Sequence, residues 1–153
     1  MKVHARYLFD SKRQKLWDLL FDINTIQECI PGLEQLEAQG DGKFLATLKV
    51  GVSAVKGTGQ GTITIGDEEP IEQYRMSVEG RGRPGWARGS GLLIFADAGD
   101  GTSVTVDGDV QIGGLIARVG QRLIGNVMKS LMDRFFNSIR EQAGETAPAA
   151  AGG

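Results

Sequence analysis

The chain has 153 residues, enough for one domain with a real interior and too few for a two-domain dehydrogenase. Hydrophobic residues make up 41% and charged residues 24%, and the net charge of -2 offers nucleic acid no global attraction. No apolar run reaches a membrane span, the N-terminus lacks the pattern of a secretory signal, and the lone Cys29 excludes an internal disulfide or a thiolate metal cluster; a cytoplasmic chain is expected.

The first element, "KVHARYLF", alternates: Val3, Ala5, Tyr7 and Phe9 share one face of a half-buried strand, with Lys2, His4 and Arg6 on the other. Ser11 is expected to cap a helix. Apolar positions Leu16, Trp17, Leu20, Ile23 and Ile26 then recur at helical spacing, with a break near Asp22 and a stop at Pro31-Gly32, so two short helices are predicted. From residue 33 to 112 the period is two, with turn signals at Gly40-Asp41-Gly42, Asp67 to Pro70, Pro84-Gly85 and Asp97 to Gly101. Six further antiparallel strands follow, seven in all.

Gly57, Gly59 and Gly61 share the inward parity of Val55 and Ile63, and Gly89 and Gly91 that of Leu93. Inward glycines let a strongly bent sheet curl without clashes, or leave space for a ligand. Either way the sheet is curved, with room inside the bend. The last element, residues 113–142, would be roughly 45 Å long as one helix. A broad apolar stripe including Leu115, Val119, Leu123 and Val127 faces away from Arg118, Arg122 and Lys129. Only the concave face of the sheet is large enough to receive that stripe, which defines an α+β architecture with a long C-terminal helix in the grip of a curved sheet. Residues 1–143 form a single domain, and 144–153 an Ala/Gly/Pro tail expected to be flexible.

Gly80-x-Gly82-x-x-Gly85 spells a dinucleotide-binding loop, but such a loop needs a strand that turns into a helix whose amides hold the pyrophosphate. Here Pro84-Gly85 is a turn and a strand follows, so nucleotide binding is rejected. Arg81, Arg83 and Arg88 around Trp86 are too few for a nucleic-acid footprint on an acidic chain. His4 faces outward, Asp97, Asp100, Asp107 and Asp109 belong to a turn and to an outward strand face, and Cys29 reads as a small buried apolar residue. No catalytic constellation or metal spacing emerges, and neither catalytic nor metal-binding residues are expected.

The positive signal is shape: a glycine-lined concave sheet roofed by an apolar helix describes a cavity for a hydrophobic small molecule, with a fully packed core as the alternative. Its candidate lining is Trp17 on the first helix, Leu48, Val50 and Val55 on neighbouring strands, and Tyr74 and Met76 on the next. Trp86 stands at the turn as a gate, and Leu115, Val119, Leu123 and Val127 come from the final helix.

The segments "CIPGLEQLEAQGDGKFLATLKVGVSAVKGTGQG" (29–61), "YRMSVEGRGRPGWARGSG" (74–91), "GDGTSVTVDGDVQIGG" (99–114) and "QRLIGNVMKSLMDRFF" (121–136) resemble the CoxG family, named for the G component of carbon monoxide dehydrogenase. That family belongs to the START/Bet v 1-like superfamily. The resemblance covers residues 3 to 142 and implies a helix-grip fold, a hydrophobic cavity and a non-catalytic accessory role. The implied partner is a molybdenum-containing carbon monoxide dehydrogenase or a related hydroxylase. The implied place is peripheral at the inner face of the cell membrane, where electrons reach a respiratory quinone.

No cofactor is required on this reading, and the cavity is expected to hold an isoprenoid quinone or similar lipid, each buried methylene contributing roughly 0.8 kcal/mol. Family members often continue into a membrane-contacting tail, whereas this chain ends at "APAAAGG". Either such a tail has been removed or the membrane contact runs through the domain, and the candidate membrane or partner contacts are Arg81, Arg83 and Arg88 beside Trp86 and Arg118 and Arg122 on the last element. A recruitment factor with a full core, and an enzyme of the cyclase or hydrolase kind found elsewhere in the superfamily, remain alternatives.

Overall fold

The computed structural model describes residues 1–52, 55–83 and 85–145, with backbone alone at 50–52 and 55. Strand β1 (Lys2–Phe9) leads into helices α1 (Arg13–Leu20) and α2 (Ile23–Cys29). Six strands follow, β2 (Leu33–Gly40), β3 (Lys43–Val52), β4 (Val55–Glu69), β5 (Gln73–Gly82), β6 (Gly85–Ala98) and β7 (Gly101–Gly113). A short 3-10 turn (Leu115–Val119) then precedes α3 (Gln121–Gln142).

The seven strands form one antiparallel sheet in the order β1-β7-β6-β5-β4-β3-β2. Six of them are a meander of hairpins, and β1 closes the far side by pairing with β7 from Lys2↔Asp109 to Phe9↔Thr102. The β2–β3 connection needs only Asp41 and Gly42, both at positive φ (53° and 74°), the conformation in which a two-residue turn matches strand twist. The β4–β5 turn lies later than its acidic signal suggests. β4 runs on to Glu69, with a register shift after Gly66 and Asp67 at positive φ, and the chain reverses at 70–72.

Asp22 breaks the helical pair as expected, and its carboxylate caps α2 by accepting from the amides of Asn24 and Thr25. Ser11, however, does not cap α1. The residue at the cap is Lys12, and the Ser11 hydroxyl donates instead to Glu145 Oε2, whose carboxylate also accepts from the amides of Asp10 and Ser11. Glu145, expected to start the tail, is thus tied to the β1–α1 junction; residues 146–153 lie outside the described residues. The final helix is also shorter than expected. Gly120, at φ 95° and ψ 152°, cannot continue a helix, so α3 starts at Gln121 and its 22 residues span roughly 33 Å.

One contiguous core fills the end of the molecule where α3 finishes. Tyr7, Phe9, Leu93, Phe95 and Val104 on the helix-facing side of the sheet pack with Leu16, Trp17, Leu20 and Cys29 from α1–α2, and with Phe136 and Ile139 from α3. Phe136 stacks on Tyr7 with ring centroids 4.3 Å apart.

Candidate functional site

Strand register defines what α3 meets as it runs back across the sheet. Away from the aromatic core, one row on the helix-facing side reads Met76–Gly91–Gly108, and the next carries Phe44–Ile63–Val78–Gly89–Val110. Beyond them come Ala46–Gly61–Gly80–Ala87–Ile112 and finally Leu48–Gly59–Gly82–Gly85. Side-chain volume falls towards the β5–β6 turn, beside which the 3-10 turn and the start of α3 are placed.

Inward apolar residues there, Leu48, Val78 and Val110 on the sheet with Val119 and Leu123 opposite, are only half-buried although they face the interior. Water-sized access to inward residues means that the helix and this half of the sheet are not in full contact. The sheet and the start of α3 are thus less closely packed here than at the core end, although Ile124 and Val127 on the same helix are buried, and a hydrophobic ligand would need room at this place.

The candidate lining residues divide accordingly. Leu48, Leu123 and Val127 lie along this half, Met76 borders the core, and Trp17 and Tyr74 are packed within it, the Trp17 and Tyr74 rings meeting edge to face at 5.6 Å. The side chains of Val50 and Val55, like residue Pro84 of the expected turn, lie outside the described residues. Leu115 is 61% exposed and faces solvent.

Trp86 is where the geometry departs most from the expected gate. It alternates with the inward Gly85 and Ala87, so it projects from the outer face of the sheet, where its indole covers Gly113 and the Arg88 guanidinium sits 5.6 Å from its centroid. Sequence reading named the inward glycines of β4 and β6 but passed over Gly80, Gly82 and Gly108. Their parity with Val78 and Val106 was the available signal.

The outer face carries two open depressions. One of about 950 Å³ is bordered by Leu45, Thr58, Gln60, Arg81 and Trp86, and one of about 480 Å³ by Thr64, Ser77, Ser90 and Gln111. Both border on Glu79 and Arg88. Open to water and lined by hydroxyl, amide and charged groups together with Leu45, Val78 and Trp86, they lack the enclosure that a lipid chain needs, and the space between the sheet and the start of α3 remains the candidate site.

Titratable groups near the interior are arranged for stability. Burial raises the Tyr74 phenol, and burial together with a 2.7 Å hydrogen bond to Asp133 raises that of Tyr7. Burial, aided by the Glu28 and Glu141 carboxylates, pushes the Cys29 thiol up to about 11, so it stays protonated at neutral pH. Among the described residues no cluster of three His, Cys, Asp or Glu side chains could hold a metal ion. No helix among them is long and apolar enough to cross a membrane.

Comparison with known proteins matches residues 9–144 to the family model of CoxG, the G component of carbon monoxide dehydrogenase. The chain belongs to the CoxG family. A solved structure similar to this CoxG-family chain, a conserved protein from Geobacillus kaustophilus, is 30% identical, with 94% of this chain and 95% of that one covered and a TM-score of 0.91. A START superfamily protein from Mycobacterium smegmatis shares the fold at 9% identity, a TM-score of 0.75, and coverage of 94% and 97%. The Zhui aromatase/cyclase from Streptomyces sp. R1128 shares it at 16% identity, a TM-score of 0.65, and coverage of 100% and 99%. The search of curated proteins found no match. These likenesses bear out the START/Bet v 1-like helix-grip fold and the CoxG resemblance together.

Proposed function

We propose that this CoxG-family protein is a non-catalytic accessory protein that carries an isoprenoid quinone or similar lipid between α3 and the glycine-rich half of the sheet. It serves a molybdenum-containing carbon monoxide dehydrogenase, or a related hydroxylase, at the cytoplasmic face of the membrane. The observation that carries this reading is the apolar surface left half-buried between the sheet and α3, where Leu48, Val78 and Val110 on the sheet and Leu123 on the helix stand beside rows of glycine. Leaving such surface in contact with water is costly by roughly 25 cal/mol per Å². A prenyl chain lying along the α3 axis would cover it and needs no directional partners, which suits a gap walled by aliphatic side chains and backbone.

Organic extraction of the purified protein followed by mass spectrometry tests the reading. A co-purifying isoprenoid quinone or lipid, at near one molecule per chain after reconstitution, is expected. A protein that neither retains nor takes up such a molecule is a recruitment factor without ligand, and the carrier reading fails.

A further inference from the structure

Charge in this molecule is sorted by end. Strand pairing carries the chain along one end of the sheet through Gly51↔Lys56, Gly59↔Gly82, Gly82↔Gly85 and Trp86↔Gly113. There the chain enters the 3-10 turn and α3. Segments 47–52, 55–60, 79–83, 85–90 and 111–126 build this tip, and they hold seven Lys or Arg against one acid, Glu79, although the whole chain has 17 against 19. The seven are Lys49, Lys56, Arg81, Arg83, Arg88, Arg118 and Arg122, and all are exposed. The turns at the opposite end carry Asp41, Asp67, Glu68, Asp97 and Asp100. An acidic protein so divided is a dipole that presents its basic end to a negative surface.

Two large apolar side chains stand among those cations. Among the described residues Leu115, at 61%, is the most exposed large hydrophobic side chain, and Trp86 is 39% exposed. Leu115 opens a five-residue turn set between Gly114 and Gly120, both at positive φ, while the next residue, Ile116, folds back against Gly85. Exposed Trp beside exposed Leu, ringed by arginine, is the composition of a surface that meets lipid headgroups and reaches the acyl boundary. The cations are spread over three separate elements and gather into no single anion pocket, which fits an extended charged plane better than one acidic side chain.

We propose that this tip docks on an anionic lipid bilayer, its arginines on the headgroups and Leu115 and Trp86 inserted between them. Docking there sets the glycine-lined end of the gap, with the Gly114–Gly120 turn across it, against the membrane. The choice of this end as the loading end rests on the carrier reading; the docking itself rests on charge and exposure alone.

Flotation of the 153-residue chain with phosphatidylcholine vesicles, with and without phosphatidylglycerol, tests the proposal. Binding confined to the anionic vesicles and weakened by salt is expected. Arg83→Gln with Arg118→Gln should weaken it roughly 25-fold, at about fivefold per cation, and Leu115→Asn or Trp86→Ala should weaken it with melting temperature unchanged. No binding to anionic vesicles, equal binding to neutral ones, or full binding by the Leu115 and arginine variants overturns the proposal. So does loss of dehydrogenase capture in those variants without any vesicle binding, which would assign the tip to a protein. Extraction of the same samples separates the two readings: vesicle binding by a protein that carries no apolar molecule sinks the carrier and leaves the docking tip standing.

Discussion

The Tyr7 hydroxyl donates a 2.7 Å hydrogen bond to Asp133 while its ring stacks on Phe136, so one side chain of β1 grips two successive turns of α3. Asp133 also takes a hydrogen bond from Lys129, which leaves the carboxylate ionised and partnered. Removing the hydroxyl in Tyr7→Phe should cost about 1 kcal/mol, and truncating the ring in Phe136→Ala about 3–5 kcal/mol. Urea unfolding of the two variants checks the order; a loss in Tyr7→Phe as large as that in Phe136→Ala would contradict it and make the hydroxyl as important as the stack.

Arg140 is 1% exposed, and among the described residues its hydrogen bonds run to a carbonyl and an amide and to no carboxylate. Its guanidinium donates to the Leu8 carbonyl at 2.7 Å and to Asn137, lies 4.8 Å from the Phe9 ring centroid, and leaves Nε unpartnered. A buried charge held by dipoles alone has a large desolvation cost, and an apolar side chain of similar volume escapes it. Arg140→Met should therefore remain within about 1 kcal/mol of the parent, whereas Arg140→Ala, which opens a cavity, should lose about 2–4 kcal/mol. Thermal melts that rank Met below Ala would refute this account.

Two glycines in one cross-strand row separate curvature from space. A methyl group at Gly61 would sit 2.6 Å from the Glu79 carbonyl oxygen, whereas at Gly80 the nearest atom would be 3.5 Å away. Gly61→Ala should thus destabilise the sheet by about 1–3 kcal/mol, and Gly80→Ala should be nearly neutral. Gly80→Leu, directed into the gap, should keep the fold and lower the yield of extractable apolar molecule severalfold. Full ligand content in that variant would place the ligand elsewhere.

Alkali should loosen the fold through its buried phenols. Burial raises both tyrosine pKa values, with the Asp133 hydrogen bond adding to the effect at Tyr7. The folded state therefore keeps these protons more tightly than the unfolded chain. That stabilisation is complete below the unfolded value of about 10 and disappears as pH rises through the folded values. Melting temperature is expected to fall above about pH 10, less steeply in Tyr7→Phe. At the acid limb burial opposes ionisation of Asp133, but hydrogen bonds from Lys129 and Tyr7 outweigh it and hold the carboxyl below its ordinary range. Its contribution is present above about pH 4 and is lost as pH falls through the lowered value. A Tyr7→Phe profile that matches the parent's at both limbs would contradict both assignments.

Period and punctuation carried most of the architecture. The alternation of Val3, Ala5, Tyr7 and Phe9 marks the buried face of β1, and Asp22 marks the junction of the two short helices because a capping carboxylate acts locally. Two readings failed where distant contacts decide. Ser11 has the chemistry of a cap, yet Glu145, more than a hundred residues away, takes its hydroxyl. Gly120 lies within the apolar helical stripe of the sequence, yet its backbone at φ 95° ends the helical run there. At the site the glycine parity is legible, and carried back from Gly89 and Gly91 the same alternation puts Trp86 on the outer face; the expectation of a gate follows from its place beside the turn and not from that parity.

The pairing of Lys2 with Asp109 has a consequence for how the chain comes to be folded. Strands β2 to β7 can zip as successive hairpins, each needing only its neighbour. Pairing of β1 closes the longest loop in the sheet, because its partner is more than a hundred residues away, and closing so long a loop is entropically slow. During synthesis β1 and the α1–α2 pair are made before the strand and helix they pack against. Until β7 and α3 follow, the aromatic face of Tyr7 and Phe9 is exposed to whatever holds nascent chains.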